Sequence, residues 1–80
     1  MISEKQLTSL ISKALKVPNS KININSSDKD FERWDSLGHL EILLNLDKVL
    51  KGKAIKINDL AEAHSVKKIL KVLKKNKLLS

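Results

Sequence analysis

Apolar residues return along this chain at intervals of three and four, the spacing that places them on one face of an α-helix, and nowhere sustain the period of two expected of strands. Leu7, Leu10, Ile11, Ala14 and Leu15 form the first such series, and Ser3 with Gln6 just ahead of it makes a capping-box pattern. These predict a helix over 4–16, ended by Pro18, Asn19 and Ser20. No helical period runs from 17 to 34, so this stretch reads as a long loop pinned across the domain. Ile22 and Ile24 lie on one side of a short extended piece in it, and Phe31 and Trp34 close its far end. The next series is the richest: Leu37, Leu40, Ile42, Leu43, Leu44, Leu46, Val49 and Leu50, with Asp35 placed to cap it and Lys51-Gly52-Lys53 to stop it. It covers more than a single stripe, which predicts an exposed apolar patch in addition to a core-facing side.

Ile55, Lys56 and Ile57 alternate as a short extended approach, after which Asn58 is placed to cap a brief third helix holding Leu60, Ala61 and Ala63. Ser65 is placed to cap a fourth helix. Its apolar face is Val66, Ile69, Leu70 and Leu73, opposite Lys67, Lys68, Lys71, Lys74 and Lys75. The expected architecture is all-α, a single domain over 1–80 with four helices, a long first loop and a short third helix.

Composition narrows the chemistry. The core is aliphatic, because Phe31 and Trp34 are the only aromatic residues. With no cysteine there is no disulfide, protein thiolate or thiolate metal site, and a metal centre is not expected from His39 and His64 alone. No run reaches membrane-spanning length and the first residues lack a signal-peptide core, so the expected location is cytoplasmic, without membrane insertion.

The formal charge of +7 is unevenly spread. Residues 1–50 balance seven basic against seven acidic side chains, whereas 51–80 carry nine lysines against Asp59 and Glu62. A chain with 15 lysines and one arginine, Arg33, is poorly equipped to read guanine or phosphate with bidentate forks, and nucleic acid is not the expected partner.

The chemically informative segment is Trp34-Asp35-Ser36-Leu37-Gly38-His39-Leu40-Glu41-Ile42-Leu43-Leu44, which presents a serine hydroxyl at a helix N-terminus. Unpaired N–H groups and the positive end of the helix dipole favour an anion there. Capping preference alone accounts for Asp and Ser as residue types at such a position. The segment also resembles the prosthetic-group attachment site of acyl carrier proteins, whose Asp-Ser-Leu serine bears 4'-phosphopantetheine. The resemblance extends over 31–73, through the order of short extended segment, short helix and capped last helix, and reaches the first helix by pattern.

That resemblance implies an acyl-carrier-protein-like four-helix bundle and a non-catalytic acyl or aminoacyl carrier. It implies 4'-phosphopantetheine on Ser36, Asp35 in transferase recognition, and Leu37, Leu40 and Leu44 on a docking face. Glu41 and Asp47 would add acidic contacts to basic partners. The implied partners are a phosphopantetheinyl transferase and acyl- or aminoacyl-activating and acyltransferase enzymes, acting on a monomer. From periodicity alone the same leucines are a broad core-facing stripe, and Glu41 and Asp47 a solvated surface. The chain departs from carriers of fatty-acid synthesis at Gly38, where an acid is common, at Lys48 and in its basic total charge. The form Asp-Ser-Leu-Gly-His-Leu is more like discrete carriers of specialised pathways.

Ser36 and His39, three apart, do not by themselves make a nucleophile and base, and His39 is expected on the helix surface or at a partner contact. His64 is expected to close a turn. The rival reading is a small basic module that binds nucleic acid or anionic surfaces through the lysines of the last helix; those lysines also fit a solvated outer face.

Overall fold

In the computed structural model, which describes residues 1–80, the chain forms four helices and no strand: α1 (Glu4–Leu15), α2 (Ser36–Val49), α3 (Asn58–Ala61) and α4 (Val66–Lys75). The small all-helical bundle expected from the periodicity is present. Each long helix begins where a polar side chain supplies the missing acceptor. Ser3 and Gln6 complete a reciprocal capping box on α1, Asp35 accepts from the Gly38 amide, and Ser65 accepts from the Lys68 amide. α1 ends on Lys16 in the left-handed conformation (φ 57°), and the chain leaves α2 through Lys51 (φ 55°) and Gly52 (φ 83°).

Seventeen buried apolar residues form one core, with Leu7, Ile11 and Leu15 of α1, Ile42 and Leu46 of α2, Leu60 of α3, and Val66, Ile69 and Leu73 of α4 at its centre. Burying side chains of this size stabilises the fold by about 1.5–3 kcal/mol each. The chain ends close the bundle from below: the Ile2 amide donates to the Leu78 carbonyl at 3.0 Å and the Ser80 amide to Ile2 at 2.9 Å.

The long connection contains two short 3₁₀ turns, Asn19–Lys21 and Asp28–Asp30, and is anchored by backbone as well as by side chains. The Asp28 amide donates to the His64 carbonyl and the Val66 amide to the Ser26 carbonyl, both at 3.0 Å, so the loop is stitched to the start of α4. Ile22 and Trp34 are buried as expected of anchors, while Ile24 and Phe31 are half-buried against the core.

Three local expectations are corrected. Ile24 lies in a turn, with the Ser26 amide donating to Asn23, and does not continue an extended piece from Ile22. Ile55 and Lys56 also form a turn, closed by the Ile57 amide on the Ala54 carbonyl at 3.0 Å, which leaves Ile55 exposed. Asn58 is the first residue of α3, not its cap; Ile57 occupies the cap position and makes no side-chain bond.

Candidate functional site

The N-terminal turn of α2 is fixed from three sides. Trp34, the last residue of the loop, is buried and turns back through its amide to the Phe31 carbonyl at 3.1 Å. Asp35 Oδ1 then takes the Gly38 amide at 2.9 Å, so the cap is Asp35's own work. Gly38 is buried at the point where the helix crosses the loop. A Cβ built there would collide with the Arg33 carbonyl and lie 3.1 Å from Leu15 Cδ2. Close backbone approach therefore explains this glycine, and no acidic side chain could be presented from position 38.

Ser36 is exposed at the head of this turn, and capping, which is satisfied by Asp35, does not account for it. Leu37 is 73% exposed, and Leu40 (47%) and Leu44 (40%) continue the same stripe down the helix. Glu41 is exposed beside them. Asp35, Ser36, Leu37, Leu40, Glu41 and Leu44 thus share one open side of the molecule.

Asp47 is half-buried and otherwise employed: its Oδ1 accepts from the amides of Ala54 at 3.1 Å and Ile55 at 2.9 Å, latching the α2–α3 connection onto the helix. This latch ties the exposed Ile55 (53%) to the helix one turn beyond Leu44, an addition to the apolar surface that the alternation of Ile55 and Ile57 did not distinguish from core. Lys48, Lys51, Lys53 and Lys56, at the end of α2 and in the connection that follows, are all exposed.

His39 is the main correction within the site. It is not on the surface but 5% exposed, bridging loop, α2 and α3. Trp34 Nε1 donates to His39 Nδ1 at 3.0 Å, and His39 Nε2 lies 2.9 Å from the Leu60 carbonyl. A carbonyl only accepts, so Nε2 carries the proton and Nδ1 the lone pair. Both ring nitrogens are committed, leaving neither to take a proton from Ser36. The signal for this bridge was the pair Trp34 and His39 themselves, since a buried indole N–H requires an acceptor.

Burial holds the His39 pKa below its ordinary 6.5, with the nearby His64 adding to the effect and the Leu60 carbonyl and Asp28 opposing it. The His64 ring is centred 4.4 Å from that of His39. Protonation would also set an Nδ1–H against the Trp34 N–H. The unfolded chain therefore binds this proton more readily than the folded one, and acid favours unfolding. Stability attributable to neutral His39 is complete above pH ~6.5, falls as pH drops through that value, and levels off below the depressed folded pKa. Urea midpoints measured from pH 8 to about 5 check this: the fall below pH ~6.5 should be smaller in His39→Gln, which has no proton to gain.

Comparison of the chain with the profiles of known families, with curated protein sequences and with solved structures finds no match. No helix is long and apolar enough to cross a membrane.

Proposed function

We propose that this protein is an acyl or aminoacyl carrier of the acyl-carrier-protein type, with Ser36 as the attachment point of 4'-phosphopantetheine. The observation that carries the reading is an exposed serine at the head of a rigidly seated, 14-residue helix, followed directly by an exposed leucine stripe that the fold does not use. Asp35 frees the hydroxyl by supplying the cap itself, and the open helix N-terminus suits a phosphodiester. The bound group supplies a terminal thiol that holds the acyl cargo as a thioester, at a distance from the bundle. In attachment, Ser36 Oγ forms a bond to the phosphorus of coenzyme A that bears the pantetheine arm. The pyrophosphate bond breaks, the adenosine bisphosphate leaves, and the hydroxyl proton passes to a base of the transferase.

Leu37, Leu40, Leu44 and Ile55 give partner enzymes an apolar surface beside the attachment point. Asp35 and Glu41 supply carboxylates near the serine, whereas Asp47, turned onto the backbone of the α2–α3 connection, acts chiefly by shaping that surface. Lysines around Ile55 set this carrier apart from acidic ones, in keeping with service to a specialised pathway.

The test is incubation of the apo-protein with coenzyme A, magnesium and a broad-specificity phosphopantetheinyl transferase, followed by intact mass. Wild type gains a single phosphopantetheine; Ser36→Ala gains none while keeping the same helical content. A folded wild type left unmodified by a transferase active on a control carrier would overturn the reading.

A further inference from the structure

Lys74 and Lys75 lie in the last turn of α4, where the helix dipole favours cations, but the lysines at its start oppose it. Lys67 and Lys68 occupy its first turn, beside the positive end of the helix dipole, where cations are unfavourable and α1 instead places Glu4. Lys67 faces Lys71 and Lys71 faces Lys75 at four-residue spacing, which adds like-charge repulsion. On a helical wheel the five lysines of α4 fall within an arc of roughly 120°. All five are exposed, the helix contains no acid, and the sole ion pair of the molecule, Lys75 with Asp59 at 3.9 Å, lies at its far end. Local stability accounts for Lys74 and Lys75 but not for Lys67, Lys68 and Lys71.

An open groove of about 350 Å³ runs along it. Lys67, Lys71 and Lys74 form one wall, Glu4 is the single acid on it, and Ile24, Leu70 and Leu79 provide an apolar floor. An anionic surface would relieve the repulsion among the lysines, while the floor offers apolar contact that a phosphodiester backbone does not use. Nucleic acid is disfavoured by what the face lacks: arginine is absent, and the only aromatic side chains of the chain are half-buried Phe31 and buried Trp34, so no stacking platform exists.

We propose that the lysine face of α4 and its groove form a docking surface for an anionic lipid bilayer, bound peripherally through headgroup charge. This surface is separate from Ser36 and the leucine stripe and does not depend on the carrier reading. Association is electrostatic, so it weakens as salt shortens the range of the lysine field.

The test is sedimentation of the full chain with vesicles of phosphatidylcholine alone or with about one-third phosphatidylserine, at roughly 50 and 300 mM salt. Binding to the anionic vesicles should be at least about tenfold stronger at the lower salt and drop at the higher. The triple variant K67Q/K71Q/K74Q should lose most of it, whereas K51Q/K53Q/K56Q, with the same loss of charge elsewhere, should retain it; circular dichroism checks that both are folded. Equal losses in the two variants would reduce the effect to total charge and overturn the proposal. So would indifference to phosphatidylserine, or displacement from the vesicles by an unrelated DNA duplex at equal charge concentration.

Discussion

Gly38→Ala is expected to destabilise the fold by about 2 kcal/mol and to lower its thermal midpoint by roughly 10 °C. The sign is the informative part. Glycine to alanine in a helix ordinarily gains up to about 1 kcal/mol, because alanine gives up less backbone freedom on folding. Here the new methyl meets the Arg33 carbonyl, a backbone group that cannot swing aside, with Leu15 closing the other side. Relief requires the 33–34 peptide to shift, which disturbs Trp34 and its bond to His39. Overpacking of this kind costs about 1–3 kcal/mol or more and outweighs the helix-propensity gain. Gly52 provides the internal control. Its φ is +83° and a Cβ there would meet nothing within 4 Å, so its requirement is conformational and asparagine should serve in its place. Gly38→Asn should fail where Gly52→Asn succeeds, and differential scanning calorimetry of the two variants separates steric from conformational need. A stabilised Gly38→Ala would mean that loop and helix do not approach this closely.

The same helix shows what periodicity could and could not reveal. Its start was legible because Asp35 is a strong cap, as were the starts of α1 and α4 at Ser3 and Ser65. Its inward face was not. Two regular series run along α2, one through Leu37, Leu40 and Leu44 and the other through His39, Ile42, Leu46 and Leu50, and both satisfy helical spacing. Only the second is buried. Hydrophobicity favours the first, since it is all leucine, and the histidine hides the second. The choice is settled by tertiary partners remote in sequence: the Leu60 carbonyl for His39 and the α1 side chains for Ile42 and Leu46.

Similar limits apply to the connections. Asp47 looked like a surface carboxylate because its partners are two backbone amides, which no side-chain pattern announces. The pairing of Ser27 with Ser65 joins residues far apart in the chain through backbone alone. Local grammar therefore placed Asp35 and Ser36 at the helix start where they are found, while long-range packing gave the candidate Asp47, and also His39 and Ile55, surroundings that the sequence pattern did not announce.

His39→Ala is the second substitution with a large expected effect, a loss of about 3–4 kcal/mol in urea unfolding followed by Trp34 fluorescence. The imidazole satisfies the Trp34 N–H and meets the Leu60 carbonyl with its own N–H, so truncation leaves the buried Trp34 donor unpaired, strips the Leu60 carbonyl of one donor while the Ala63 amide remains at 3.2 Å, and opens a cavity between them. For a domain of 80 residues this is a large part of the stability available. His39→Gln should recover a substantial share, because an amide offers both an acceptor and a donor; His39→Leu should fill space yet leave Trp34 unsatisfied. Ordering of stability as wild type, Gln, Leu, Ala would identify the bridge as a hydrogen-bonded strut. Equal losses in Gln and Leu would reduce it to packing. The strut also fixes the turn that presents Ser36, one helical turn away, without touching the surface that an enzyme would meet. On the proposed carrier reading, phosphopantetheinylation of Ser36 should proceed at nearly the wild-type rate in His39→Gln under conditions where that variant remains folded. His39→Leu, with the loop no longer tied through Trp34, should be modified more slowly despite an unaltered exposed face, because the serine is held in place from within the core.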